Sequence, residues 1–314
     1  MTSAARRGPN ATQLTSLCQT NGASGGLGAA VSTYVQTPGT QATIVLGGNP
    51  TLEPETADTA TLGLVWASRD TGLRASIDYY RIDVKDAITT PDTNEIIADC
   101  YNFYGRNPTY SASNSSCGGI ARAGGNIVQV SSSAPGGVFA NTNGGRITTD
   151  GLDIELGWGG SLGPGKMDVG LNFNYLLSYD LKTANFLPSK DFVGTIPYFG
   201  AGLGQAFPKY KGVLRFGYEI SGVSADVRVR FFDKMKNRME LMFPGERFTG
   251  TPATSYLDIA AGWQFYKGMT IRAGLNNVLD QEPRTYAPNV QSGTDPSTFD
   301  VIGRRFFVQA NVQF

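Results

Sequence analysis

Histidine is missing from all 314 residues. Its absence removes the commonest general base near neutral pH, the usual catalytic triads and most zinc or non-haem iron sites, so neither an enzyme nor a resident metal or other cofactor is expected. Net charge is missing too: 26 Lys and Arg balance 26 Asp and Glu, which leaves no global field to attract a nucleic-acid partner. Cysteine is scarce. Cys18, Cys100 and Cys117 lie in polar stretches without a CxxC pair, which argues against a thiolate cluster and leaves an oxidised loop staple open. No run approaches the roughly 18 apolar residues of a spanning helix. The opening residues contain no apolar segment behind a basic start, so no export signal is expected in this chain. Glycine, by contrast, is abundant at 40 residues, while the hydrophobic fraction is only 40%. Many turns and a modest core follow.

Period-two alternation dominates from Asp58 onward. In Val223 to Phe231 the odd positions are Val223, Ala225, Val227, Val229 and Phe231, and the even ones are Ser224, Asp226, Arg228 and Arg230. The same separation recurs in Leu152 to Trp158 and in Met167 to Leu177, and further members centre on Leu62, Ile77, Phe216, Ile259, Ile271 and Val308. Nine strands are expected, each with one apolar and one polar face, as if facing two different solvents. After Tyr79 the apolar parity slips to Ile82 and Val84, which marks a bulge or a strand leaving its apolar surroundings.

The connections alternate in length. Short links fall at Arg69 to Gly72, Gly159 to Gly165, Ser221 to Gly222 and Tyr266 to Gly268. The others are long and rich in Gly, Pro, Ser and Asn, beginning with Asp86 to Asn143. A compact soluble sandwich has no reason to sort loops by end, whereas outer-membrane barrels combine short periplasmic turns with long extracellular loops. Strands running toward the short-turn end finish on an aromatic residue of the apolar face: Trp66, Trp158, Tyr218, Phe265 and Phe314. Rings gathered at one end read as a periplasmic interfacial girdle; core aromatics of a soluble sheet are the alternative.

Two stretches resemble the TonB-dependent outer-membrane receptors. The first is Gly48-Asn49-Pro50-Thr51-Leu52-Glu53-Pro54-Glu55-Thr56, followed by a strand and then Ile77-Asp78-Tyr79-Tyr80-Arg81-Ile82-Asp83-Val84-Lys85-Asp86-Ala87-Ile88. The second is Leu275-Asn276-Asn277-Val278-Leu279-Asp280-Gln281-Glu282-Pro283, then Ile302-Gly303-Arg304-Arg305-Phe306-Phe307 and the terminal Phe314. The resemblance implies an all-β antiparallel transmembrane barrel segment of about 9–10 strands from a barrel that is 22-stranded in the family. It places residues 1–57 in an extracellular loop region, with room for the end of a preceding strand, and 58–314 in the C-terminal part of the barrel. It implies import of a scarce ligand such as an iron-siderophore, cobalamin or a glycan. The implied partners are outer-membrane lipid, the barrel assembly machinery, a plug domain and TonB. Phe306, Val308, Ala310, Val312 and Phe314 would form the C-terminal assembly signal, although Gln309 stands where the family usually has glycine. Nothing in the chain corresponds to the plug, so an incomplete receptor, inactive by itself, is expected. A small passive porin or adhesin barrel and a secreted all-β binding protein are the rival readings.

Cys100 and Cys117 fall within the long Asp86 to Asn143 connection. A disulfide there would stabilise an exposed loop by about 3 kcal/mol on the chain-entropy model; two unpaired thiols are the alternative. Cys18 is left over. Polar-face residues Asp153, Glu155, Asp226, Arg228, Arg230, Asp258 and Arg272 are candidates to line a lumen, either along a ligand path or simply as a hydrated, plug-pairing surface. Gly118-Gly119 and Gly124-Gly125 lack the strand-to-helix context of a phosphate loop.

Overall fold

The computed structural model describes residues 46–312 apart from 92, 103, 110, 124–125, 132–139, 198–204, 243–246 and 287–292. Among the described residues, the alternating stretches become strands where they were expected. The main sheet follows the order β1 (Thr56–Ala67), β2 (Leu73–Thr89), β5 (Thr142–Leu162), β6 (Gly165–Lys182), β9 (Tyr210–Ile220), β10 (Val223–Phe232), β12 (Thr254–Tyr266), β13 (Met269–Asn276) and β14 (Arg305–Val312), with the short β7 (Lys190–Asp191) added on β6. Every neighbour on this path is also the next long strand in sequence, and the pairs with a resolved register are antiparallel. Such an up-and-down meander is what short hairpin links produce. Among the described residues, β1 and β14 are the two ends of the path.

The turns show why these links are short. Ser221 and Gly222 both adopt positive φ, 49° and 78°, the two-residue geometry whose twist matches the flanking strands. Gly268 does the same at 79° after Lys267. One expected link is shorter than its sequence suggested: β5 runs on through Leu162 and β6 begins at Gly165, so only Gly163 and Pro164 turn. Trp158 therefore lies inside its strand rather than at its end.

Strand β2 is unbroken across the parity slip. From Asp83 onward it runs among charged partners. Arg146 grips Asp83 with two hydrogen bonds of 2.9 and 2.6 Å, and Lys85 pairs with Asp58 at 2.7 Å. These charged partners suit a strand that leaves its apolar surroundings there.

The described parts of the long connections contain elements that the sequence pattern did not reveal. Between β2 and β5 lie helix α1 (Thr93–Cys100) and the hairpin β3 (Ile120–Ala123) and β4 (Asn126–Val130). Further on, β8 (Thr195–Ile196) pairs in parallel with β11 (Lys236–Asn237), just ahead of the one-turn helix α2 (Met239–Met242). Among the described residues, no helix is long and apolar enough to cross a membrane.

The chain divides into two compact units. One comprises the described residues up to Asp58 with Asp83–Thr148 and Asp180–Asp191; the other comprises Thr59–Ile82, Thr149–Tyr179 and the described residues from Phe192 onward. The first has a conventional core of Ile96, Cys100, Tyr101, Cys117, Ile120, Ile127 and Val130. In the second, a smaller cluster of Ile196, Met235, Tyr286 and Phe299 sits in the loop elements, while the sheet carries its apolar side chains outward.

Candidate functional site

The pleat and the register together build two unlike surfaces on β6 to β14. One transverse row reads Val169, Phe216, Val227, Ile259, Leu275 and Phe306 across six strands; the next reads Leu171, Leu214, Val229 and Leu257. Apolar residues thus face apolar residues strand after strand without being buried: in the first row Val227 is 36% exposed, Ile259 37% and Phe306 79%, and the residues of the second row are half-buried. A continuous apolar band of this size needs an apolar surrounding. The expected assembly-signal residues Phe306, Val308, Ala310 and Val312 lie on this side of β14 and are all exposed. Phe314 lies outside the described residues, as does Cys18.

Of the expected girdle, Trp66 and Phe265 are exposed. Trp158 and Tyr218 are half-covered, and each spends its polar tip on the backbone near a hairpin: Trp158 Nε1 donates to the Thr71 carbonyl at 3.0 Å, and the Tyr218 hydroxyl to that of Leu162 at 3.0 Å. An apolar body with a satisfied polar tip suits an interface between an apolar and an aqueous medium. Trp263, 5.8 Å from Phe265 between ring centroids, extends this set.

The opposite face carries the expected polar residues, which the register gathers into a charge network. Asp226 is held between two arginines, accepting from Arg215 Nη2 at 3.1 Å and Arg272 Nη2 at 3.0 Å. Asp258, almost fully buried, accepts from Arg228 Nε at 3.0 Å, Arg230 Nε at 3.1 Å and the Asn277 backbone N–H at 2.9 Å. Arg230 also reaches Asp300 at 3.9 Å, and Asp300 is closed by two bonds from Arg305 Nη1 at 3.0 and 2.9 Å. At Asp300, in the loop before β14, burial acts to raise the carboxyl pKa. Arg305 and the Ile302 backbone N–H outweigh it and hold the group below its usual value. The sequence pattern missed Arg215, Asp300 and Arg305. Arg215 was available from parity, between Leu214 and Phe216; the other two depend on where the last loop returns.

Asp153 and Glu155 stand apart from this network. Asp153 accepts from Asn174 Nδ2 at 2.8 Å, and a parallel set joins Tyr79 to Asp150 at 3.2 Å. No cluster of metal-ligating side chains occurs among the described residues.

In the first unit, Cys100 and Cys117 form a disulfide, with Cα atoms 4.9 Å apart. Asn107 braces it, donating from Nδ2 to the carbonyls of Cys100 at 2.7 Å and Ser111 at 3.1 Å. Glu95 of α1 takes the Lys190 ammonium and the Thr183 hydroxyl, the latter at 3.1 Å. Lys190 also donates to the Tyr104 hydroxyl at 3.2 Å. Burial alone would lower the Lys190 pKa, but Glu95 and Tyr104 reverse that and raise it.

An antiparallel meander with an exposed apolar band on one face and an ion-paired polar face on the other defines the wall of a transmembrane β-barrel. The family model described as "TonB dependent receptor-like, beta-barrel" matches residues 7–278, and the chain belongs to that family, which is one of outer-membrane receptors rather than enzymes. No curated protein matches the sequence. Similar solved structures include a variant of the ferric enterobactin receptor of Pseudomonas aeruginosa, at 16% identity and a TM-score of 0.48, covering 83% of this chain and 31% of that one. The FrpB iron transporter of Neisseria meningitidis is 14% identical with a TM-score of 0.49, covering 87% and 33%. The siderophore receptor PirA of Acinetobacter baumannii is 16% identical with a TM-score of 0.49, covering 84% and 32%. The chain spans about a third of the length of these structures.

Proposed function

We infer that this chain supplies the C-terminal wall of an outer-membrane receptor that binds a scarce ligand outside the cell and imports it with energy relayed by TonB. The family match over residues 7–278 carries this reading. The two-faced sheet supports it physically: the apolar band suits lipid and the ion-paired face suits a hydrated lumen. Residues 58–314 form the wall, and the region up to residue 57 belongs to an outer loop. A plug domain and TonB are its partners in the working receptor, and the barrel assembly machinery reads the last strand. Its cargo is an iron-siderophore, cobalamin or a glycan.

By itself the chain is expected to transport nothing. Each of β1 and β14 has one strand neighbour among the described residues, and an unpaired edge in hydrocarbon leaves several kcal/mol unsatisfied per backbone group, an order-of-magnitude cost that only closure removes.

Uptake by cells making the full polypeptide, with and without TonB, tests the reading. One of a labelled ferric siderophore, cobalamin or an oligosaccharide should accumulate only in the TonB-positive cells. Equal uptake in both strains would make the protein a passive pore, and extraction without detergent would remove it from the membrane altogether.

A further inference from the structure

We propose that the connections β6–β9, β10–β12 and β13–β14 open and shut as one body pinned by Arg238, so that a contact made with any one of them shifts all three. The proposal goes beyond the receptor reading and holds whatever the cargo.

Backbone pairing joins the first two connections. Where β8 runs beside β11, the Lys236 N–H donates to the Gly194 carbonyl at 2.7 Å and the Arg238 N–H to that of Ile196 at 2.9 Å. Each of the two is also closed on itself: the Phe207 N–H donates to the Thr195 carbonyl at 2.9 Å, and Met235 and Thr251 exchange bonds of 2.9 and 2.8 Å. Packing brings in the third. Ile196 from the first connection, Met235 from the second, and Tyr286 and Phe299 from the third form one buried cluster. Such a core cannot be lost piecemeal, because lifting away one connection exposes the apolar side chains of the other two to water.

Arg238 sits where the three meet. It belongs to the second connection and is only 7% exposed, yet it reaches into the first, donating from Nε to the Thr195 hydroxyl at 3.3 Å and from Nη2 to the Gln205 carbonyl at 2.6 Å. Its guanidinium carbon lies 4.6 Å from the ring centroid of Phe192 and 5.4 Å from that of Phe207. Burial pushes its pKa down to about 10, against the opposing pull of Tyr286, Tyr179 and Asp295; Tyr286 and Asp295 belong to the third connection. The body is footed on the wall, where Phe299 meets Phe232 edge-on at 5.4 Å between centroids and the Asp300 N–H donates to the Tyr256 hydroxyl at 3.1 Å. Opening is favoured by what the shut form leaves unmade. The hydroxyls of Thr251, Tyr286 and Thr294 are buried without a hydrogen-bond partner, and opening gives each of them water. A small shared core with unmet hydroxyls belongs to the low-stability end of a structure.

The test is hydrogen exchange of the full polypeptide folded in outer-membrane lipid, read at the amides of Phe207, Thr251 and Tyr286. One lies in each connection, and each is bonded within the body, Tyr286 to the Gly293 carbonyl at 3.0 Å. The three should share one opening free energy. Arg238→Met should speed exchange at all three by the same factor, about tenfold or more given the charge-assisted bonds it removes, and leave the strand amides of β9 and β10 unchanged. Phe299→Ala, in the third connection, should speed Phe207 and Thr251 together with Tyr286, although it removes no side-chain hydrogen bond. Heat-modifiable gel mobility confirms that each variant has folded, and because the two substitutions act on different connections, either is decisive by itself. Faster exchange confined to Phe207 in Arg238→Met, or to Tyr286 in Phe299→Ala, overturns the proposal, as do three unequal opening free energies in the unaltered protein.

Discussion

Around helix α1, apolar side chains turn inward: Ile96 and Val130 are each only 1% exposed, and a disulfide joins the cluster they belong to. On the wall the same residue types turn outward, with Leu62 at 76% and Val308 at 68% exposure. The wall's inner order comes instead from ion pairs and hydrogen bonds on the other face. One physical rule accounts for both. Apolar surface leaves water, and in the lobe it can only go into a protein core, whereas the wall gives it to lipid. Polar groups follow the complementary rule, so Glu95 and Lys190 are paired at depth in the lobe, whereas the wall holds its charges in a spread, partly hydrated network.

Substitutions that swap the two environments should separate them most clearly. The largest effect is expected at the buried Lys190–Glu95 pair, whose side chains are 11% and 12% exposed. Lys190→Met leaves a carboxylate without its cation and should destabilise the lobe by about 3 to 5 kcal/mol, read as lost hydrogen-exchange protection in α1. The pair also sets a pH limit. Because the folded pKa of Lys190 is raised, its contribution is complete below the unfolded value of about 10.4 and is lost only as pH rises through the folded value. Limited proteolysis of the lobe should therefore be unchanged across neutral and mildly alkaline pH. Loosening near neutrality would contradict the geometry.

The staple should rank next. With Cys100 and Cys117 separated by 17 residues, replacing both by Ser should cost the lobe about 3 kcal/mol, and the intact protein should resist alkylation until it is denatured and reduced. The sheet should keep its heat-modifiable mobility in that variant, since nothing in its strand pairing involves either cysteine.

On the wall, Val227→Arg places a charge at the middle of β10 on the apolar face and should cost about 2 to 4 kcal/mol if the site lies near the bilayer midplane. Denaturant titration of the barrel refolded in lipid vesicles measures this. Its neighbour Arg228→Ser, on the opposite face, should cost under about 1 kcal/mol. Asp258 keeps Arg230 and the Asn277 N–H, so no buried charge is stranded. Equal sensitivity at 227 and 228 would erase the distinction between the two faces.

The sequence determined the nine long strands, the existence of two faces and the short turns, apart from the tighter one between β5 and β6. In Val223 to Phe231, alternation is a local property of the pleated backbone and needs no distant partner to be read. Ser221-Gly222 likewise announces its hairpin through the positive φ it tolerates. The lobe was not legible because its core is non-local: Ile96 and Tyr101 become a buried cluster only when Cys117, Ile120, Ile127 and Val130 return to meet them. Helix α1 is too short to declare itself by periodicity alone. The charge network was half legible. Parity placed Asp226, Arg228, Arg230, Asp258 and Arg272 on one face. Which arginine grips which aspartate was decided by strand register and by the loop that brings Asp300 and Arg305 to Arg230, because an ion pair depends on a separation of a few ångströms between residues far apart in the chain.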